Sequence, residues 1–141
     1  MKNRKSNRGF TLIELLLVLV ILAVLATVVV PKFTKRSEQA RLTAAQTDIS
    51  NMEVALDAFE IDTGRYPTTS EGLNALYEQP SEADGWKGPY LKKKDPKDPW
   101  GNEYVYEEPG QENEYGYDLS SAGPDGNSGT EDDIKNWSDE D

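Results

Sequence analysis

Cysteine and histidine are both absent from the 141 residues. Without cysteine there is no disulfide, no thiol nucleophile and no thiolate ligand, and without histidine the usual imidazole base and zinc ligand are missing too. Positive charge is scarce: 15 Lys and Arg stand against 26 Asp and Glu, for a formal charge of −11. So acidic a chain repels phosphate backbones, which argues against nucleic acid as a partner. No internal repeat is visible. The length allows one small globular domain and one long element, but not two independent cores.

What is present is unevenly placed. Lys2, Arg4, Lys5 and Arg8 give the first nine residues +4, which by subtraction leaves −15 for residues 10–141. From Phe10 to Val30 the only charged side chain is Glu14, and Thr11 and Thr27 are the only other polar ones. At about 1.5 Å per residue such a helix spans about 30 Å, the thickness of a bilayer core. The basic stub before it marks the cytoplasmic side. A secretory signal peptide would be shorter and would end on small residues, which Val28-Val29-Val30-Pro31-Lys32 does not provide, so the segment is expected to remain in the mature chain.

Beyond Pro31 the pattern turns amphipathic, with Leu42, Ala45, Ile49, Met52, Leu56 and Phe59 spaced by three and four. That is one helical stripe, and it predicts a single long helix from about Thr11 to Ile61, bent at Pro31 and closed by Gly64. A second, short helix is expected from Ser70 to Glu78, with Ser70 as N-cap and Leu73, Leu76 and Tyr77 facing inward. The segments Gly88–Leu91, Asp98–Gly101, Tyr104–Tyr106 and Tyr115–Leu119 read as short antiparallel strands. Ser81–Trp86 reads as an exposed loop, and Ser138–Asp141 as a frayed end. The fold class is α+β: a long N-terminal helix, hydrophobic then amphipathic, packed on a small antiparallel sheet.

The run Arg8-Gly9-Phe10-Thr11-Leu12-Ile13-Glu14 resembles the processing site of type IV pilins and pseudopilins. In that family a prepilin peptidase cuts after the glycine and methylates the new phenylalanine amine, which implies cleavage between Gly9 and Phe10 and N-methylation of Phe10. The residue types have their own physical logic. Gly9 leaves the backbone open to a protease, and Glu14 costs about 2.5–3.5 kcal/mol near the middle of a membrane helix, less near its end. After cleavage the amine of Phe10 carries positive charge, and the Glu14 carboxylate of a neighbouring subunit could neutralise it at low dielectric and set the register of stacking. The bland alternative is that Glu14 merely snorkels to the headgroups.

At the far end, acidic and small residues from Tyr117 to Trp137 form a glycine-rich loop whose hard oxygen donors suit calcium better than magnesium or a transition metal. An EF-hand is excluded: counted from Asp125, position six is Thr130 rather than glycine and position twelve is Asn136 rather than glutamate. An acidic, solvated tail loop is the bland reading. Here Gly123-Pro124-Asp125-Gly126 and Asp132-Asp133 resemble the major pseudopilins of type II secretion. That resemblance implies Asp125, Asp132 and Asp133 as calcium ligands, with the main-chain carbonyl of Ala122 and the Thr130 backbone or hydroxyl completing the shell. A larger apolar residue is common in that family at the position of Ala122, but a main-chain ligand tolerates the difference. Gly64-Arg65-Tyr66-Pro67-Thr68-Thr69 and Asp98-Pro99-Trp100-Gly101-Asn102 are similar to the same family and also read as turns with aromatic anchors. A cysteine-free domain of about eighty residues beyond the helix has only a metal as staple, so calcium is expected to be structural.

The resemblance therefore implies a cleaved leader at 1–9, a transmembrane and assembly segment at 10–30, and a periplasmic domain at 31–141 with the C-terminal calcium loop. It implies a non-enzymatic subunit of a type II secretion pseudopilus. The subunit would start as a single-pass inner-membrane protein, with its N-terminus cytoplasmic and its C-terminal domain periplasmic. Its partners would be further copies of itself, minor pseudopilins, the peptidase, and the inner-membrane platform and ATPase. A type IV or competence pilin is the near alternative. A calcium-dependent hydrolase using Asp125, Asp132 and Asp133, or an exoprotein-binding module, would be alternatives of another class. The hydrolase lacks any nucleophile motif.

Overall fold

A computed structural model describes residues 9–138, apart from the side chains of residues 28–34. The leader up to Arg8 and the tail from Asp139 thus lie outside the described residues, as do the side chains of the last three residues of the expected membrane segment. Helix α1 runs from Leu12 to Thr63 without a break at position 31. Two compact units divide at Glu38, the first up to that residue and the second from Gln39 onward.

In the first unit every described side chain from Phe10 to Thr27 is exposed. Among the described residues no helix is long and apolar enough to cross a membrane. Thr27 donates its hydroxyl to the carbonyl of Val24 at 2.7 Å, which satisfies the one polar group near the end of this stretch within the helix itself.

The second unit forms around the amphipathic stripe. Ala45, Ile49, Met52, Leu56 and Phe59 are buried, and Leu42 packs partly against them. Gly64 ends the helix at φ +80, its N–H bonded to the carbonyl of Glu60 at 2.7 Å, as a residue without a Cβ can do. Strand β1 (Val105–Glu107) pairs antiparallel with β2 (Asp118–Ser121), and β2 with β3 (Ile134–Lys135). Tyr106 sits opposite Leu119 and Ser121 opposite Ile134. Tyr106, Leu119 and Ile134 close the core over Leu56 and Phe59. Burial pushes the phenols of Tyr104, Tyr106 and Tyr117 above their ordinary value. The Tyr106 hydroxyl still finds the carbonyl of Pro67 at 2.7 Å.

Several local expectations are corrected. The short helix is a 3₁₀ turn over Gly72–Leu76 rather than Ser70–Glu78. Ser70 does not cap it: Thr68 and Glu71 bond each other's main-chain N–H, Glu71 N to Thr68 Oγ1 at 3.3 Å and Thr68 N to Glu71 Oε2 at 2.8 Å. The reciprocal pairing favours Thr-x-x-Glu over a lone serine, and Gly72 at φ +59 leaves the helical region. Tyr77 is turned outward, 37% exposed, so only Leu76 and Ala75 are fully inward. Gly88–Leu91 and Asp98–Gly101 are not strands, since Pro89 and Pro99 cannot donate to a ladder. Tyr115 lies in a loop, and β2 starts only at Asp118. Within the expected exposed loop Ala83 is buried, while Trp86 bonds the carbonyl of Ala75 through Nε1 at 3.0 Å and stacks edge-on against Tyr90.

Candidate functional site

Two places carry the predicted site residues, one at each end of the chain. At the first, Thr11 and Glu14 face each other across the opening turn of α1. Glu14 N donates to Thr11 Oγ1 at 3.3 Å, and Thr11 N donates to Glu14 Oε2 at 3.4 Å. This reciprocal cap satisfies two of the four amides that a helix start leaves open, and it places a carboxylate at the positive end of the helix dipole. Gly9 and Phe10 precede the helix, outside regular structure, and are exposed. The backbone at the expected cut is therefore not tied into regular structure.

At the second, the chain leaves β2 at Ser121, turns through Gly123 at φ +63 and returns as β3 at Ile134. A Cβ on Gly123 would run into the main-chain oxygen of Asp132, so the two limbs of the loop touch and only glycine fits between them. Asp125, Asp132 and Asp133 are drawn together around the Thr130 hydroxyl. That oxygen lies 3.5 Å from Asp125 Oδ1, 2.6 Å from Asp132 Oδ1, 3.4 Å from Asp133 Oδ1 and 3.1 Å from the carbonyl of Asn127. One hydroxyl has one proton, so it cannot satisfy three carboxylates and a carbonyl. The remaining help comes from main-chain amides: Asp125 N to Asp132 Oδ2 at 3.1 Å, Asn127 N to Asp125 Oδ1 at 2.8 Å, and Gly129 N to Asp133 Oδ2 at 2.7 Å. The Thr130 hydroxyl, more than any other neighbour, holds the Asp132 carboxyl below its ordinary range.

The donor set is all oxygen and strongly anionic, which fits a hard cation such as calcium. Among the described residues, however, no group of three or more acidic side chains is arranged as a finished metal shell. The carboxylates point at the hydroxyl and the amides, so taking up an ion means exchanging those bonds. Ala122, the expected main-chain ligand, is buried at the neck of the loop.

The neck is braced by Asp98, whose sequence signal is only that of a turn, and by Ser121 and Asn136. Asp98 is 4% exposed. It accepts from Trp100 N at 3.0 Å, from Asn102 N at 2.8 Å and from Ser121 Oγ at 2.7 Å. Ser121 Oγ in turn accepts from Gly123 N at 3.2 Å. On the return limb Asn136 clamps β2, accepting from Leu119 N at 2.8 Å and donating to the carbonyl of Tyr117 at 3.3 Å. Asp98-Pro99 is a readable turn signal. For Ser121 and Asn136 the sequence carries none, because their partners are distant in the chain.

Residues 32–137 match the family described as type II secretion system protein G, and residues 4–30 match the prokaryotic N-terminal methylation motif. The type II secretion system core protein G of Escherichia coli is 47% identical, covering 97% of this chain and 95% of the relative. The core protein G of Pseudomonas aeruginosa is 43% identical, covering 95% of this chain and 97% of the relative. The crystal structure of the major pseudopilin from the type 2 secretion system of enterohaemorrhagic E. coli matches with a TM-score of 0.65 at 38% identity, covering 77% of this chain and 96% of that one. These relatives are structural secretion components rather than members of an enzyme family. With two short motifs at opposite ends and a family match across three quarters of its length, the chain belongs to the type II secretion system protein G family, the major pseudopilins.

Proposed function

We propose that the chain is the core structural subunit of a type II secretion pseudopilus, made as a precursor and polymerised through α1 to drive folded proteins across the outer membrane. Residues 1–9 are the leader that a prepilin peptidase removes, with methylation of Phe10. Residues 10–30 anchor the precursor in the inner membrane and later form the assembly segment, while residues 31–141 make the periplasmic domain. Minor pseudopilins and the inner-membrane platform with its ATPase are the partners of this process.

The observation that carries the reading is Glu14, an exposed carboxylate in the first turn of a 52-residue helix whose next residues are apolar. Before assembly its charge is offset by the Thr11 amide and the helix dipole. Once Phe10 is freed, a neighbour's amine is a stronger partner than an amide, so stacking exchanges an internal cap for an intersubunit pair. Mass spectrometry of the mature chain should show an N-terminus at methylated Phe10, and Glu14→Ala should insert into the membrane yet assemble poorly. A chain that keeps Met1, or normal fibres from Glu14→Ala, would remove the basis of this reading.

At the other end we assign Asp125, Asp132 and Asp133, with Thr130 and the carbonyl of Ala122, to a structural calcium ion. When bound, the ion supplies the positive charge that one hydroxyl cannot. These residues hold the two limbs of the loop together and thereby keep β3 on the sheet.

A further inference from the structure

Tyr115 is 97% exposed, more than any other large hydrophobic side chain among the described residues. The loop that carries it is not slack. Asp118, buried at its base, accepts main-chain bonds from Gln111 at 2.7 Å, Glu112 at 2.9 Å and Asn113 at 3.0 Å. Gly110 N reaches the carbonyl of Gly116 at 3.0 Å, and Gly116 N that of Asn113 at 2.9 Å. An aromatic held into solvent on a braced loop loses little freedom when it docks, which is the property of an interface anchor. Its neighbours Glu112 and Glu114 are exposed, and neither carboxylate has a partner among the described residues.

The complementary surface is on the same chain. A groove of about 720 Å³ is lined by Met52, Leu91 and Pro96 together with Lys92 and Lys93. Lys87, Lys94 and Lys97 are each paired, with Asp62, Glu78 and Glu103 respectively. Lys92 and Lys93 are exposed and have no partner among the described residues. The groove is not purely basic: Asp95 lines it, and so does Asp48, which accepts from the Tyr104 hydroxyl at 3.2 Å.

We propose that Tyr115 of one copy seats in this groove on the next, with Glu112 and Glu114 meeting Lys92 and Lys93. The proposal rests on the fibre reading above and assigns it a contact outside α1. Tyr115 shares a cleft with Glu53, whereas the groove borders Asp48 and Asn51. At about 100° per residue those positions fall on opposite flanks of α1. Knob and groove on different faces make a head-to-tail contact, which repeats from copy to copy instead of closing a two-fold dimer, as a fibre requires. Inside the groove the Asp48 carboxylate supplies the acceptor that a buried tyrosine hydroxyl requires.

The absence of cysteine makes the test clean. Full-length copies carrying Tyr115→Cys and copies carrying Leu91→Cys are expressed together with the secretion machinery, and sheared fibres are analysed under non-reducing conditions. A disulfide-linked dimer is expected from this pair, at least about tenfold above the control pair Asp84→Cys with Leu91→Cys. Tyr115→Ala should lower fibre yield by at least about tenfold, the factor that corresponds to about 1.4 kcal/mol per contact, while Tyr115→Phe stays near the parent. Lys92→Glu with Lys93→Glu should also lower the yield, and Glu112→Lys with Glu114→Lys in the same chain should restore it. Normal fibres with crosslinking no higher than the control overturn the proposal and leave the fibre reading standing. Absence of fibres from the parent chain despite complete cleavage at Phe10 overturns both.

Discussion

Replacing Glu71 with glutamine tests how the turn after α1 is held. Arg65 forks onto Glu71 through two bonds, Nη1 to Oε2 at 2.7 Å and Nη2 to Oε1 at 2.8 Å. The same guanidinium also reaches the carbonyls of Tyr66 at 3.0 Å and Glu82 at 3.3 Å, so one ion pair ties three segments together. The Arg65 bond, joined by the Thr68 amide and opposed by burial, holds the Glu71 carboxyl down to about 2 from 4.5. At about 1.36 kcal/mol per factor of ten, that fall sets an upper bound of about 3.4 kcal/mol. Water reaches both side chains, which are 32% and 20% exposed, and screening brings the expected contribution to about 1–2 kcal/mol. Because the folded carboxyl is depressed, the stabilisation is complete above about pH 4.5 and drains away as the pH falls toward 2. Thermal melts of the full chain in detergent, followed by tryptophan fluorescence, should place Glu71→Gln about 5–10 °C below the parent at pH 7. The two curves should converge near pH 2. A gap that is the same at pH 7 and pH 2 would show that the ionised carboxylate is not what holds the turn.

Two other perturbations follow from the same geometry. Asp118→Ala strands the amides of Gln111, Glu112 and Asn113, and denaturant titration should show a loss of about 2–4 kcal/mol. Chelation should lower the melting temperature of the parent by several degrees, and Asp125→Ala should erase the difference between calcium and chelator. A parent curve indifferent to calcium would leave only an acidic surface loop.

The parts of the fold legible in the sequence are those governed by local periodicity. The stripe from Leu42 to Phe59 and the stop at Gly64 depend on neighbours within a turn or two, and both stand as expected. The sheet was harder to place because its strands are two to four residues long, too short for alternation to register, and their positions follow from pairing across the chain. Ser70 is a good capping residue by type, but the Thr68-x-x-Glu71 reciprocity outweighs it in the structure. At the candidate metal loop the clustering of acidic and small residues was readable, since Asp and Gly density is a property of the string. Their dependence on Asp98, Ser121 and Asn136 was not, because those contacts join residues 17 to 23 positions apart or oppose main-chain groups that carry no sequence mark. The resemblance to pseudopilins supplied what periodicity lacks at Gly9, Phe10 and Glu14.

Strand β3 is two residues long and begins directly after Asp133. Its hold on β2 rests on two register pairs and on Asn136, so the last strand of the domain is as secure as the loop that delivers it. A copy that failed to gather its carboxylates would release the chain from Ala122 to Ser138 as one flap and uncover the Leu119 backbone to any nearby protease. Closing of the acidic loop and protection of the Leu119 backbone are therefore coupled through the same two-residue strand.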